Sequence, residues 1–304
     1  MTDGGEAQRL DGKATALKVR ADVKQWTAAL VARGVQPGLV VVLVGEDAAS
    51  QVYVRNKDRA ATEAGFRVDT VRLPADTDQS VIEDKVRELN ADGAVHGILV
   101  QLPLPKGLDA DAVIALLDPN KDVDGLTATN VASLVTGGDG LVPCTPAGCI
   151  EILDRYDLPL EGKHVVIVGR SMLVGKPLAQ LALARNATVT ICHSRTKDLE
   201  KHCKGADILV AAVGRARLVQ GDWVRPGAVV LDVGINRGED GKLVGDVDFE
   251  AASQRAAAIT PVPGGIGPMT IAMLLSNTAL AAARSIGLGL DELRAAACAS
   301  SDPG

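Results

Sequence analysis

HVVIVGRSMLVGKPLAQLAL, His164 to Leu183, reads as a strand, a glycine-containing turn and a helix. Its opening Val/Ile run is what a strand covered on both faces requires. Gly169 can make the turn, Ser171 can offer a hydroxyl to a phosphate or ribose, and Gly175 lets helix and strand approach closely. A helix N-terminus directly behind a strand is where a dinucleotide's pyrophosphate binds. The spacing is G-x-S-x-x-x-G-x-P rather than G-x-G-x-x-G, and an ordinary strand-to-helix turn also uses glycine.

The next strand sharpens the choice. NAD sites place an acid behind the second strand, about 20 residues on, to bond the ribose 2′-hydroxyl. Here ATVTIC runs into His193-Ser194-Arg195-Thr196, with no acid. Arg170 in the first turn and Arg195 in the second can meet a 2′-phosphate with forked donors, which favours NADP. The competing reading, strongest for Arg195, is a solvated surface charge. ADILVAAVG, AVVLDVG and AAIT continue the strands, with short helices or loops between them.

The same alternation runs upstream. Helical periodicity covers Lys13 to Arg33 and stops at Gly34; LVVVLV (Leu39 to Val44), FRVDTVRL and HGILVQ (His96 to Gln101) are strands; Thr77 to Asn90 is a helix. PCTPAG marks a boundary, with Thr145 as a helix cap and Pro146 at the first position. A long apolar helix from about Met269 to Ile286 and a small one near Asp291 to Ala297 close the chain. The expected architecture is α/β, two domains with mainly parallel sheets, the C-terminal one Rossmann-like, joined by long helices with a cleft between them. Residues 1–145, completed by 270–304, form one domain and 146–269 the other. The first several residues and the closing SSDPG have the composition of disordered ends.

One helix breaks its own pattern. In ASQVYVRNKDRAATEAG, Ala49 to Gly65, Ser50 suits an N-cap and Gly65 a C′ position. Tyr53, Ala60, Ala61 and Ala64 make the core-facing stripe, yet Lys57 sits in its middle. A lysine stem can snorkel along apolar surface. Alternatively the helix borders a cleft, and burial lowers the amine's pKa until it can act as a base.

Composition bounds the partners. The formal net charge of −6 carries no basic block, which argues against nucleic acid or an anionic membrane surface. Five cysteines with no CxxC pair give neither a disulfide framework nor a zinc cluster, and the four histidines lack HxxxH or HxH spacing, so no metal is expected. His96 reads as a strand-end residue without a catalytic task. The polar N-terminus is unlike a signal peptide, and apolar runs such as LVVVLV are too short to span a bilayer. A soluble protein of the cytoplasm is expected.

SQVYVRNK, GILVQLPLP, KDVDGLTATN, PCTPAG, VVIVGRSMLVGKP, GDWVRPGAVVLDVGIN, GDVDFE and TPVPGGIGPMT occur in order along nearly the whole chain. Together they resemble the bifunctional methylenetetrahydrofolate dehydrogenase/cyclohydrolase family of the bacterial FolD type. The resemblance implies NADP-dependent oxidation of 5,10-methylenetetrahydrofolate, hydrolysis of the methenyl product to 10-formyltetrahydrofolate, and a homodimer. It makes Lys57 the residue facing the one-carbon unit, with Gln101 its amide partner and Tyr53 a stacking platform, and it puts Ser50 at the folate site. It makes Asp124 the acid that bonds the pterin, with Asp122 the competing candidate or, alternatively, a structural residue. Pro263, Gly264 and Gly265 border folate and nicotinamide, although a plain turn also uses these residues. Gly169, Arg170, Ser171, Ser194, Arg195 and Ile235 belong to the cofactor. The rivals are a monofunctional methylenetetrahydrofolate dehydrogenase, an NADP-dependent dehydrogenase of a small hydroxy or amino acid, and a nucleotide-binding regulatory module.

Overall fold

The turn after His164–Val168 leaves a strand of a parallel sheet that lies one strand from its edge. The computed structural model describes residues 6–238 and 240–299. In chain order its elements are β1 (Gln8–Arg9), α1 (Gly12–Val31), β2 (Gly38–Val44), α2 (Ala48–Glu63), β3 (Arg67–Leu73), α3 (Gln79–Ala91), β4 (Gly97–Val100), α4 (Ala110–Ala115), α5 (Ala128–Thr136) and α6 (Cys144–Arg155). Then come β5 (His164–Val168), α7 (Gly175–Ala184), β6 (Thr188–Cys192), α8 (Leu199–Lys204), β7 (Ile208–Ala211), β8 (Val229–Asp232), β9 (Asn236–Arg237), β10 (Leu243–Val244), α9 (Phe249–Ser253), β11 (Ala258–Ile259), α10 (Ile266–Arg284) and α11 (Leu290–Ala299). The terminal disorder suggested by composition falls on residues outside the described ones.

Two compact units divide the chain: one takes residues up to Ala16 with Thr145–Thr270, the other Leu17–Cys144 with residues from Ile271 on. In the first, a six-stranded sheet has the order β1-β11-β8-β7-β5-β6, and its pairs are parallel. From β5 the chain steps outward to β6, then crosses back to β7 on the other side. Strand order therefore reverses between β5 and β7, the position where open α/β sheets bind ligands beyond their strands' carboxyl ends. Val166, Val168, Leu209 and Val230 fill its core.

Residues 6–16 belong to this unit, not to the N-terminal domain expected from sequence. β1 pairs with β11, Leu10 is fully buried, and its N–H donates to Ile259 O at 2.9 Å. A two-residue strand is too short to leave a periodic signature.

The second unit has a parallel three-stranded sheet, β3-β2-β4, with all seven residues of β2 buried. Its order reverses between β2 and β4. Val40, Val42 and Val44 pack with Ile82, Val86, Ile98 and Val100. α10 is apolar and long enough to cross a membrane by length and composition, but 61% of that stretch is buried in the protein, as in a core helix. Its Asn277 donates to Val123 O and Val142 O at 2.8 Å each, tying two loops of the second unit.

Candidate active site

α2 follows β2, and Gln101 follows β4, so both reach the carboxyl side of the second unit's switch point. α2 starts earlier than sequence suggested. Asp47, not Ser50, is the cap: its carboxylate accepts from Ser50 N at 2.7 Å. An Asp three residues before Ser50 wins because it supplies charge to the helix's positive end as well as an acceptor. Ser50 is buried in the first turn. Gly65, with φ +88°, does end the helix.

The apolar stripe holds for Ala60, Ala61 and Ala64, but Tyr53 leaves it and is 42% exposed. Lys57, four residues on, shares Tyr53's face. It is partly buried, and its Nζ donates to Gln101 Oε1 at 3.0 Å, while Gln101 Nε2 donates to Leu102 O at 2.7 Å. These two bonds fix which end of the amide faces the amine. Burial pushes the Lys57 amine below the ordinary lysine range, against the opposing pull of Asp124. Burial likewise raises the Asp124 carboxyl, against the pull of Lys57. Amine, amide and acid form one group.

Asp122 has different surroundings. It is wholly buried, and its Oδ2 accepts from Thr127 N at 2.7 Å and Asn130 Nδ2 at 2.9 Å, holding the start of α5. Cys144 was absent from the sequence-based site. Its buried thiol donates to Val123 O at 3.3 Å and lies beside Asp124; burial first, then Asp124, pushes the thiol well up. PCTPAG signalled only a helix start, and that start is Cys144 rather than Pro146, so Thr145 lies inside α6. His96 is a structural group: its Nδ1 accepts from Gly38 N at 3.1 Å.

In the first unit, Gly169 has φ +136°, and a Cβ there would lie 2.2 Å from Ala212 O at the end of β7. At Gly175 a Cβ would lie 2.1 Å from Gly169 O. The turn thus needs two glycines, and α7 begins against it with no acid in its first turn. Ser171 Oγ accepts from Val174 N at 3.1 Å, leaving its own proton to donate. Beyond β6, His193 N donates to Thr196 Oγ1 at 2.8 Å and Arg195 N to His193 Nδ1 at 3.1 Å, which leaves Ser194 and Arg195 exposed at the loop. Arg170 is exposed too.

Ile235 is 46% exposed beside Gly267. Gly264 has φ +104°, and a Cβ on Gly265 would lie 2.5 Å from Pro261 O, so this loop depends on glycine at both positions. Pro263 follows a cis peptide bond. Glycine-lined backbone, a helix start without acids and exposed arginines suit a phosphorylated dinucleotide. Among the described residues no three His, Cys, Asp or Glu side chains cluster as metal ligands, and all five cysteines are free.

The first unit is thus a dinucleotide-binding fold, and the second carries a partly buried amine, bonded to a neutral amide, whose charged form burial disfavours. Residues 10–124 match the catalytic domain of tetrahydrofolate dehydrogenase/cyclohydrolase, and residues 143–286 match that enzyme's NAD(P)-binding domain. The chain belongs to the tetrahydrofolate dehydrogenase/cyclohydrolase family. It is 57% identical over 278 residues to the bifunctional protein FolD of Moorella thermoacetica, covering 91% of this chain and 99% of that one. The crystal structure of the bifunctional FolD enzyme from Campylobacter jejuni superposes with a TM-score of 0.90 at 44% identity, over 91% of this chain and 99% of that one. The Trypanosoma brucei enzyme, complexed with NADP and an inhibitor, gives 0.89 at 40% identity, over 93% and 100%.

Proposed function

We propose that this chain oxidises 5,10-methylenetetrahydrofolate with NADP and hydrolyses the methenyl product to 10-formyltetrahydrofolate. The carrying observation is the Lys57–Gln101 hydrogen bond, an amine lowered by burial and held by a neutral partner. A carboxylate in place of the amide would raise the amine's pKa and spoil it as a base.

NADP, when bound, supplies the hydride acceptor. Gly169, Ser171 and the start of α7 hold its pyrophosphate, while Arg170, Ser194 and Arg195 take the 2′-phosphate. Ile235 and the Pro263–Gly265 loop border the nicotinamide. Tyr53 gives its exposed ring to the flat folate, Ser50 lies near it, and Asp124 bonds the pterin's donors. Loss of hydride leaves a methenyl cation spread over two nitrogens, so orientation matters more than a strong base. Water then adds to that carbon. Neutral Lys57 takes the water's proton and returns one to N5 as the C–N5 bond opens, leaving the formyl group on N10.

The domain from residue 17 to 144 with the C-terminal helices is the folate side. A homodimer in the cytoplasm is proposed on the family resemblance, and five free thiols suit a reducing compartment. The test is a spectrophotometric assay with methylenetetrahydrofolate and NADP or NAD in turn. Oxidation with NADP, followed by hydrolysis above the uncatalysed rate, is expected; no folate turnover with either cofactor overturns the reading.

A further inference from the structure

Two buried carboxylates lie beneath the loops that follow β7, β8 and β10, and neither belongs to the site described above. Asp246 is wholly buried. Its Oδ2 accepts from Val213 N at 2.6 Å and Gly214 N at 3.0 Å, and its Oδ1 from Arg215 N at 2.8 Å and Asn236 Nδ2 at 2.9 Å. Three successive backbone N–H groups turned to one point form an anion-binding nest. Here the chain fills that nest with its own carboxylate. Asp232, at the end of β8, holds the holder: it accepts from Asp246 N and Val247 N at 2.9 Å each and from Gly234 N at 3.1 Å. The fit leaves no spare volume, since a Cβ on Gly234 would lie 2.2 Å from Asp246 Cγ and one on Gly245 1.8 Å from Asp232 Oδ2. Asp232 N also donates to Thr260 Oγ1 at 2.7 Å, where the Pro263–Gly265 loop begins.

We propose that Asp246, held by Asp232, is a positioning residue for the dinucleotide site: it occupies the Val213–Arg215 nest and fixes the wall of the site beside Gly169. That nest is therefore closed to the cofactor's phosphates, which are left to the Gly169–Ser171 turn. The wall matters because Gly169 abuts Ala212, the residue before the nest. The inference rests on the NADP reading above.

Asp246→Asn tests it. The amide has one acceptor oxygen where the carboxylate had two, so at least two of the four donors lose their partner and the loop shifts. KM for NADP is expected to rise about tenfold to a hundredfold, as misplacement of a binding wall by about 1 Å does, with KM for methylenetetrahydrofolate unchanged. Hydrolysis of methenyltetrahydrofolate, assayed without NADP, is expected to persist. An unchanged KM for NADP in a folded variant overturns the proposal. If Asp246→Asn does not fold, Asn236→Ala decides: it removes one donor, and a KM for NADP unmoved from wild type is again fatal. Failure of the NADP reading looks different, because wild type itself would then show no NADP-dependent oxidation.

Discussion

Removal of the Lys57 amine separates its chemistry from its packing. Lys57→Met deletes one hydrogen bond of 3.0 Å, worth about 1 kcal/mol of stability. Gln101 keeps its bond to Leu102 O, and Asp124 loses the cationic neighbour that opposes the upward push of burial on its carboxyl. Met is as good a helix former as Lys, so α2 persists. The fold and NADP binding should survive. Catalysis should not: loss of a general base costs about 10²–10⁴ in rate, or about 2.7–5.4 kcal/mol of transition-state stabilisation. Lys57→Arg is the sharper variant, because it keeps positive charge but cannot give up its proton. Both variants are assayed by the loss of methenyltetrahydrofolate absorbance at neutral pH, corrected for uncatalysed hydrolysis. The wild-type rate should climb with pH as the amine deprotonates, in a range below the free-lysine value of 10.5, because burial lowers it. If Lys57→Arg hydrolyses as fast as wild type, Lys57 acts by charge alone and the proton-transfer argument fails.

Arg170→Ala should shrink the preference for NADP over NAD, read as the ratio of kcat/KM values; an unchanged ratio removes Arg170 from 2′-phosphate recognition. Gly169→Ala drives a Cβ to 2.2 Å from Ala212 O at φ +136°, so NADP affinity should collapse and stability fall by about 1–3 kcal/mol, measured by titration and thermal melting. Asp232 has its carboxyl raised by burial from 3.8 to about 7. A raised folded value means its stabilisation is complete below about pH 4 and lost as pH rises through about 7. The Tm advantage of wild type over Asp232→Asn should therefore narrow from pH 4 to 7; a constant gap contradicts this.

The buried strands β2, β4, β5, β7 and β8 were legible because they are almost unbroken Val/Ile/Leu runs, which a doubly covered parallel sheet requires. β1 was not, because two residues carry no period. Sequence misjudged the start of α2 for a related reason: Asp47 and Ser50 are both good caps, and only the backbone path decides between them. Tyr53 fell on the apolar stripe by spacing yet is exposed, since a wheel assigns a direction and not the depth of what lies there. Asp122 and Asp124 are two residues apart and chemically identical; hydrogen bonds to Thr127 and Asn130 separate one from the other. Asp246 was invisible because its partners are backbone amides 31 to 33 residues away.

In each unit the chain leaves an interior strand, pairs on one side, and returns to pair on the other. The gap opened at that reversal cannot be closed by crossover helices, so it is where backbone polar groups and odd side chains collect. Between β2 and β4 it collects Lys57, Gln101 and Asp124; between β5 and β7 it collects Gly169 and the nest filled by Asp246. Each of these violates a local rule: a lysine on an apolar stripe, a glycine in a strained turn, an acid under a sheet. Local rules fail together only where something else compensates, and function is the usual compensation. The lysine costs its helix burial of a charge, and the buried acids cost theirs. If the violations were incidental, replacing Lys57 with Met should leave every rate unchanged, and the rates are what that substitution is expected to destroy.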